Sequence, residues 1–323
     1  MSNLHSIVIP TPFPVGPVNV YLLDGPEPAL VDTGPNTGEA MATLRKGLAA
    51  HGYAVADIRH LVITHAHPDH YGLAAQTAAE SRARVYSHRF NLEFLAGDQM
   101  ETGNWRLYYA LLLLQSGVPL SVLEGMGKDV GAAVPYSQPV GIDVALDDGN
   151  VLTLGDSSWE VIHTPGHARG HICLYNRESG DLLSGDHLLR DISSNPILEP
   201  PLPGETDRPR SLVQYLCSLD RVASLEVAVA WPGHGMPITN PRDLIARRVG
   251  FHRRRVNQIA ALLAGRPQTA YEIATVLFSA LQGMQAFLAV SEVIGHLDIL
   301  EQEGRVASGL MDGVLFYALT GEQ

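Results

Sequence analysis

Cysteine and lysine are the scarce residues of this chain. Its 323 residues include two cysteines, Cys173 and Cys217, which are too far apart in sequence to form a CxxC pair. A disulfide scaffold and a cysteine-rich structural zinc site are therefore both disfavoured. There are also only two lysines, Lys46 and Lys128, and the formal net charge is −12. This charge disfavours indiscriminate binding to nucleic acid, because phosphate contacts need basic side chains.

The sequence also lacks signals for membrane insertion and export. The longest apolar stretch, near residues 107–114, is too short to cross a bilayer. The segment from Met1 to His5 shows no basic start followed by an apolar run, so no signal peptide is expected. With 46% hydrophobic and 17% charged residues, the chain can bury a large core. We therefore expect a globular, cytoplasmic protein with no membrane partner.

Histidine and aspartate, in contrast, are concentrated in one short motif. Residues 65–70 read His-Ala-His-Pro-Asp-His and follow the apolar run 61–64, which predicts a strand. Alternate residues of such a loop can point the same way, so His65 and His67 can serve one metal ion. Asp69 and His70 then face a second ion. Three imidazoles and one carboxylate in six positions favour a metal site over isolated surface histidines.

Three further candidate ligands lie beside glycine at predicted strand-to-loop junctions. They are His167, Asp186 and His234. Together with the motif they make five histidines and two aspartates, enough for two metal ions with open positions. A His and Asp set suits a catalytic site, which keeps a position for water, better than a closed structural site. The residues therefore predict a metal-dependent enzyme, and a hydrolase in particular.

These motifs together resemble the metallo-β-lactamase fold superfamily. Their order and rough separation match across about residues 5–240. The matching segments are Asp32-Thr33-Gly34, Thr64 to His70, Thr164-Pro165-Gly166-His167, Gly185-Asp186 and Gly233-His234-Gly235. The resemblance implies an α/β (α+β) protein, built as a four-layer αββα sandwich with the metals at one edge.

The resemblance also implies a role for each candidate residue. By this resemblance the ligands of the first metal are His65, His67 and His167, and those of the second are Asp69, His70 and His234. Asp186 resembles a carboxylate that bridges the two ions. Asp32 matches an acid that orients a ligating imidazole through its other nitrogen. His171 matches a structural histidine.

Residues 163–173 look most like glyoxalase II and its relatives, which implies a hydrolase of esters or thioesters. In such an enzyme a metal-bridging hydroxide attacks the carbonyl, and Asp69 is the catalytic residue that orients it. The expected cofactors are two divalent metal ions, with zinc favoured and iron and manganese left open. The expected partner is a small-molecule acyl substrate.

Composition divides the chain into a metal domain, residues 1–240, and a C-terminal domain, residues 241–323. Residues 98–141 form a helical, aromatic-bearing insertion in the metal domain. This insertion is expected to cover a core face, to make a homodimer contact or to cap the metal edge. Asp148-Gly149 predicts a hairpin between strands at 145–149 and 151–154.

The C-terminal domain carries seven arginines between Pro241 and Arg266, on a predicted amphipathic helix. Thr269 and Glu272 form a capping-box signature that opens another helix. A final hairpin is predicted around Asp312-Gly313, so helices followed by a hairpin resemble a winged-helix domain. This resemblance gives an alternative function, an endoribonuclease that binds RNA through its arginine-rich helix. Iron-dependent persulfide oxidation is a further alternative.

Overall fold

The computed structural model describes residues 3–97, 104–124, 136–202, 204–279 and 281–321. Parts of the predicted insertion, residues 98–103 and 125–135, therefore lie outside the described residues. The chain divides into two compact units. Unit 1 comprises Met1–Glu101, Val134–Ser194 and Ser218–Ile245, and unit 2 comprises Thr102–Ala133, Asn195–Cys217 and Ala246–Gln323.

Unit 1 contains two sheets. The first has six strands in chain order, β1 (Leu4–Ile9), β2 (Val18–Leu23), β3 (Ala29–Val31), β4 (His60–Ile63), β5 (Arg84–His88) and β6 (Val144–Leu146). The second has the order β11-β10-β9-β8-β7, with β7 (Val151–Leu154), β8 (Ser157–His163), β9 (Ile172–Tyr175), β10 (Asp181–Gly185) and β11 (Val229–Pro232). Strands β3 to β6 are parallel to one another, and β10 is parallel to β11.

Helices cover the first sheet on one face, and the second sheet covers it on the other. The helices of unit 1 are α1 (Gly38–Ala50), α2 (Pro68–Tyr71), α3 (Ala74–Ser81) and α4 (Leu92–Leu95), with short 3₁₀ turns at Val55–Asp57 and Arg89–Asn91. Leu44 and Leu48 of α1 pack into one buried cluster with Leu22 and Leu61 of the sheet. A second cluster lies between the sheets and joins side chains such as Val62 and Val161. The mixed α/β sandwich predicted from the resemblance is confirmed.

The predicted hairpin around Asp148-Gly149 is wrong. Strand β6 pairs in parallel with β5 of the first sheet, whereas β7 pairs with β8 of the second. The turn thus carries the chain from one sheet to the other. The cause lies in packing, because Leu146 and Leu154 both fill the cluster between the sheets. A turn signal alone cannot show whether the flanking strands pair with each other.

Unit 2 is built mainly from helices. Its elements are α5 (Asn104–Gln115), the start of α6 (Ser211–Ala223), most of α7 (Pro241–Leu262), β12 (Gln268–Thr269), α8 (Ala270–Leu277), α9 (Gly283–Gln302), β13 (Val306–Met311) and β14 (Val314–Leu319). The strands form a sheet in the order β12-β14-β13. The winged-helix-like arrangement of this unit stays a prediction.

Two local predictions in unit 2 are confirmed. Thr269 Oγ1 accepts a hydrogen bond from the amide of Glu272, and the Glu272 carboxylate accepts one from the amide of Thr269, which completes the capping box of α8. The turn between β13 and β14 has positive φ at Asp312 and Gly313, 49° and 81°. These angles match the type I′ turn that joins paired strands with the correct twist.

Helix α9 forms the centre of unit 2. It is long and apolar enough to cross a membrane by length and composition alone, but 67% of its apolar window is buried inside the protein. Asp298 on this helix forms a bidentate ion pair with Arg208, with N–O distances of 2.8 and 2.6 Å. The pair ties the proline-rich segment near residue 208 to the helix. The burial is that of a core helix.

Two buried histidines meet between α7 and α9. His252 Nδ1 lies 3.1 Å from His296 Nε2, and His296 Nδ1 donates to the carbonyl of Glu292 at 2.6 Å. His296 Nε2 is therefore the acceptor, and both rings are neutral. Burial, assisted by the neighbouring ring, lowers the pKa of His252 to about 3. Burial likewise lowers the pKa of His296 to about 4.

This pair predicts a loss of stability in acid. The unfolded chain takes up both protons near the ordinary pKa of 6.5, whereas the folded chain takes them up only near pH 3 to 4. The free energy of unfolding should therefore fall as the pH drops from about 7 to 4, by roughly 2 kcal/mol per histidine at pH 5. Urea unfolding of His252→Asn should show a shallower pH dependence between pH 7 and 5 than the parent. The exposed His51→Asn serves as the control, and an unchanged dependence in His252→Asn would contradict the prediction.

Candidate metal centre

The candidate ligands all follow the ends of strands in unit 1. Asp32 follows β3, residues 64–70 follow β4, His167 lies after β8, Asp186 follows β10 and His234 lies after β11. The carboxyl ends of parallel strands lie at one edge of a sheet. Strand β8 runs antiparallel to β9, which runs antiparallel to β10, so β8 and β10 end on the same side. The sheet topology thus brings the ligands together.

Three histidines form the first group. His67 Nδ1 lies 2.9 Å from His65 Nε2 and 3.0 Å from His167 Nε2. All three nitrogens lie within 4.8 Å of one another. Zinc–nitrogen bonds of about 2.0–2.1 Å at tetrahedral angles would separate such nitrogens by roughly 3.3 Å. Burial, with a further contribution from His167, lowers the pKa of His67 to about 3, so the ring is neutral as a ligand must be.

The second group combines two histidines with two carboxylates. His234 Nε2 lies 3.3 Å from Asp69 Oδ2 and 3.7 Å from Asp186 Oδ2. His70 Nε2 lies 3.4 Å from Asp186 Oδ1. Asp186 also lies 3.6 Å from Nε2 of His167, which belongs to the first group. Asp186 therefore stands between the two groups, as a carboxylate shared by two ions would.

Three candidate metal-ligating atoms at this edge make no hydrogen bond to any described residue. Within the described part of the chain, His70 Nε2, His234 Nε2 and Asp186 Oδ1 are buried and make no hydrogen bond. Burial opposes protonation of His70, but Asp186, Asp32 and Asp69 outweigh it and raise its pKa well above the ordinary value. The three carboxylates thus stabilise a positive charge at this position. Divalent metal ions fit both the unpaired donor atoms and this charge.

Asp32 fixes the orientation of two imidazole rings, that of His70 directly and that of His65 through the Thr64 hydroxyl. Its Oδ2 accepts from His70 Nδ1 and from the Thr64 hydroxyl, each at 2.8 Å, and its Oδ1 accepts from the Thr64 amide at 2.8 Å. Since the Thr64 hydroxyl donates to Asp32, it accepts from His65 Nδ1 at 3.1 Å. Both rings therefore donate from Nδ1 and turn Nε2 toward the cluster, which is the orientation that a metal-ligating Nε2 needs. Asp32 holds a φ of +62°, a strained backbone for a non-glycine residue.

Both ring nitrogens of His171 make hydrogen bonds. Its Nε2 accepts from the amide of Asp186 at 3.1 Å, so its Nδ1 donates to the Thr164 hydroxyl at 2.8 Å. A side chain at Gly185 would meet His171 Nε2 at 2.7 Å, which keeps that position small. His171 thus fixes the backbone of the central carboxylate, in keeping with the structural part expected of it.

Sequence analysis did not identify several residues that support the site. Asn19 Nδ2 donates to the carbonyls of Pro232 and Gly235, and the Tyr21 hydroxyl donates to that of Pro232, so β2 clamps the loop of His234. Asn91 Nδ2 donates to the carbonyl of Gly170 and fixes the loop after His167. These residues lie outside the ligand motifs, and their role depends on contacts between distant segments that a single sequence does not show.

Comparison with known proteins agrees with this geometry. Residues 13–234 match the family model described as the metallo-beta-lactamase superfamily, and residues 256–320 match the metallo-beta-lactamase-like C-terminal domain. The probable metallo-hydrolase YqjP of Bacillus subtilis is 38% identical over 95% of this chain and 94% of its own. The acyl-coenzyme A thioesterase MBLAC2 of Bos taurus is 34% identical over 52% of this chain and 57% of its own.

A solved structure matches nearly the full length of the chain. The crystal structure of the metallo-beta-lactamase family protein TTHA1429 from Thermus thermophilus superposes with a TM-score of 0.83. It is 34% identical, and the match covers 99% of each chain. The family match spans more than half of the sequence and contains every candidate ligand. The chain therefore belongs to the metallo-beta-lactamase superfamily.

Proposed function

We propose that this metal-dependent hydrolase binds two divalent ions, zinc by preference, and cleaves acyl thioesters or esters. The observation that carries the proposal is the meeting of two ligand groups at Asp186. The proposed ligands are His65, His67 and His167 for one ion and Asp69, His70 and His234 for the other, with Asp186 shared. When bound, two such ions supply an activated water and positive charge for the oxyanion that develops on the carbonyl.

Asp69 is the proposed catalytic residue. Burial raises the pKa of its carboxyl, but the neighbouring His70 and His234 rings outweigh burial, and the net pKa lies below the ordinary value. The side chain is therefore ionised and able to accept a proton from an attacking water. Its Oδ2 is held 3.3 Å from His234 Nε2, which fixes the direction of the carboxylate.

Exposed apolar side chains next to a candidate ligand support an apolar acyl substrate. Among the described residues of unit 1, seven large apolar side chains are exposed, namely Val8, Val15, Phe90, Leu92, Val151, Ile192 and Met236. Two of them, Met236 and Val15, lie beside segments that carry or hold a candidate ligand. Met236 lies two residues after His234. Val15 lies in a loop in which the carbonyl of Pro17 accepts a hydrogen bond from His234 Nδ1.

The names of relatives point the same way. The Bos taurus relative is named an acyl-coenzyme A thioesterase, and another, from Aspergillus fumigatus, an atrochrysone carboxyl ACP thioesterase that is 26% identical over 119 residues. Both names describe a thioester on a phosphopantetheine-type carrier. We therefore infer that the leaving group of the substrate is a thiol.

The endoribonuclease alternative has less support. Arg255 of the arginine-rich helix α7 pairs with Glu292 at 3.2 Å and lies over the ring of Phe278, so it serves the packing of unit 2. Helix α9 contains no lysine or arginine, and it carries Glu292 and Asp298. Both carboxylates are paired within unit 2, Glu292 with Arg255 and Asp298 with Arg208, so this helix offers no cationic side chains to phosphates.

The first test is hydrolysis of acyl thioesters by protein loaded in turn with zinc, manganese and iron. We expect turnover of an acyl-coenzyme A, measured as thiol release, and a loss of at least about 10³-fold in kcat/KM for His67→Ala, because one ligand of the first ion is removed. The exposed His51→Ala should retain the parent rate. Absence of thioester and ester cleavage with every metal would remove the proposed function.

A second test measures the contribution of Asp32 to metal affinity. Asp32→Asn preserves the shape but removes the charge that holds two imidazole tautomers, so we expect metal affinity to fall by about 10–100-fold. Competition with a chromophoric chelator measures this affinity without any substrate. The exposed Asp220→Asn provides a control of the same chemistry on α6. Equal affinities in the two variants would show that Asp32 does not orient the ligands.

A further inference from the structure

Helix α5 exposes an apolar stripe to solvent. Leu107, Leu111 and Leu114 are 60%, 50% and 36% exposed. Their spacing of four and three residues places them on one face of the helix. Leu120, which follows shortly after the helix, is 68% exposed. We call Leu107, Leu111 and Leu114 the leucine stripe.

The opposite face of α5 already packs into unit 2. Leu113 is buried in the same cluster as Ile294 of α9, and Leu112 packs against that cluster. The Tyr109 hydroxyl donates to the carbonyl of Leu198 at 2.9 Å, and its ring lies 5.4 Å from that of Phe287. The helix is therefore fixed by its inner face. A surface helix fixed in this way normally presents polar side chains outward, so the leucine stripe needs a separate cause.

We propose that the leucine stripe is a homodimer interface, in which α5 of two copies pack antiparallel about a two-fold axis. The spacing is self-complementary, because an axis near Leu111 brings Leu107 of one copy close to Leu114 of the other. The same patch on both copies closes the assembly at two subunits. The three side chains of the stripe are all apolar, so burying them requires no new hydrogen bonds.

Charge favours a second copy over a membrane surface. Arg106 is the charged side chain within α5, and antiparallel packing places the two copies of Arg106 at opposite ends of the contact. A helix that lies on a membrane usually carries several lysines and arginines beside its apolar face. This chain has two lysines in total and a net charge of −12, which opposes an anionic bilayer.

Sedimentation of the full metal-loaded chain tests the proposal. From about 1 to 100 µM, the parent should show a species of twice 34.9 kDa. Leu111→Glu places a charge in the contact of both copies and should raise the dissociation constant by at least about 100-fold. Arg253→Glu, on the exposed face of α7, should leave it unchanged. A monomeric parent, a series of larger species, or a dimer unaffected by Leu111→Glu would overturn the proposal.

Crosslinking tests the orientation without depending on a weakened variant. In a Cys217→Ser background, Leu111→Cys should form a disulfide between two copies on mild oxidation, whereas Arg253→Cys should not. A mixture of Leu107→Cys and Leu114→Cys proteins should form the mixed dimer in preference to either symmetric one. Equal yields from Leu111→Cys and Arg253→Cys would overturn the antiparallel contact. Flotation of a monomeric parent with phosphatidylcholine vesicles would overturn the dimer and assign the stripe to a membrane instead.

Discussion

Three buried carboxylates determine the arrangement of side chains at the metal edge, because each needs a compensating positive charge or a hydrogen-bond donor. Asp32, Asp69 and Asp186 are all buried within one small region. Isolated buried carboxylates would be costly, so each must meet hydrogen-bond donors, a proton or a metal ion. Asp32 is satisfied by Thr64 and His70, whereas Asp186 Oδ1 has no hydrogen bond within the described residues. Divalent cations would compensate the remaining charge, and the supporting bonds turn the ring nitrogens of the cluster toward the place where they would lie.

The candidate ligands could be selected from the sequence because the signals that mark them are short-range. The motif at residues 65–70 places four donors on one loop, and its exit from a strand defines the edge of the sheet. Glycines beside His167, Asp186 and His234 mark further strand ends. Residue type and loop position thus suffice to select the seven side chains that the structure brings together at this edge. The alternation of the loop divides its own four residues between two ions, and the family resemblance assigns the other three. This assignment stays a prediction, with which the distances around Asp186 are compatible.

Other features could not be predicted because they depend on long-range pairing. Asn19 lies 213 positions before the carbonyl of Pro232 to which it donates, and no local pattern marks it. The turn at Asp148-Gly149 has the sequence of a hairpin, yet the apolar side chains on either side join different sheets. Local chemistry defines the turn, and packing of the core decides the partners. In contrast, the capping box of Thr269 and the turn at Asp312-Gly313 are satisfied by their immediate neighbours, and both predictions hold.

The exposed apolar residues of the two units differ in kind, which separates substrate binding from assembly. In unit 1, Met236 lies two residues after His234, and Val15 lies in the loop whose Pro17 carbonyl accepts a hydrogen bond from His234 Nδ1. Loops of this kind can adjust to a small flexible chain. The leucine stripe of unit 2 instead lies on one rigid helix whose inner face is already packed. A regular row of side chains at helical spacing matches another helix far better than a single acyl chain, because each leucine then fits between side chains of the partner. The same physical quantity, apolar area left in water, thus supports two different interactions according to the element that presents it.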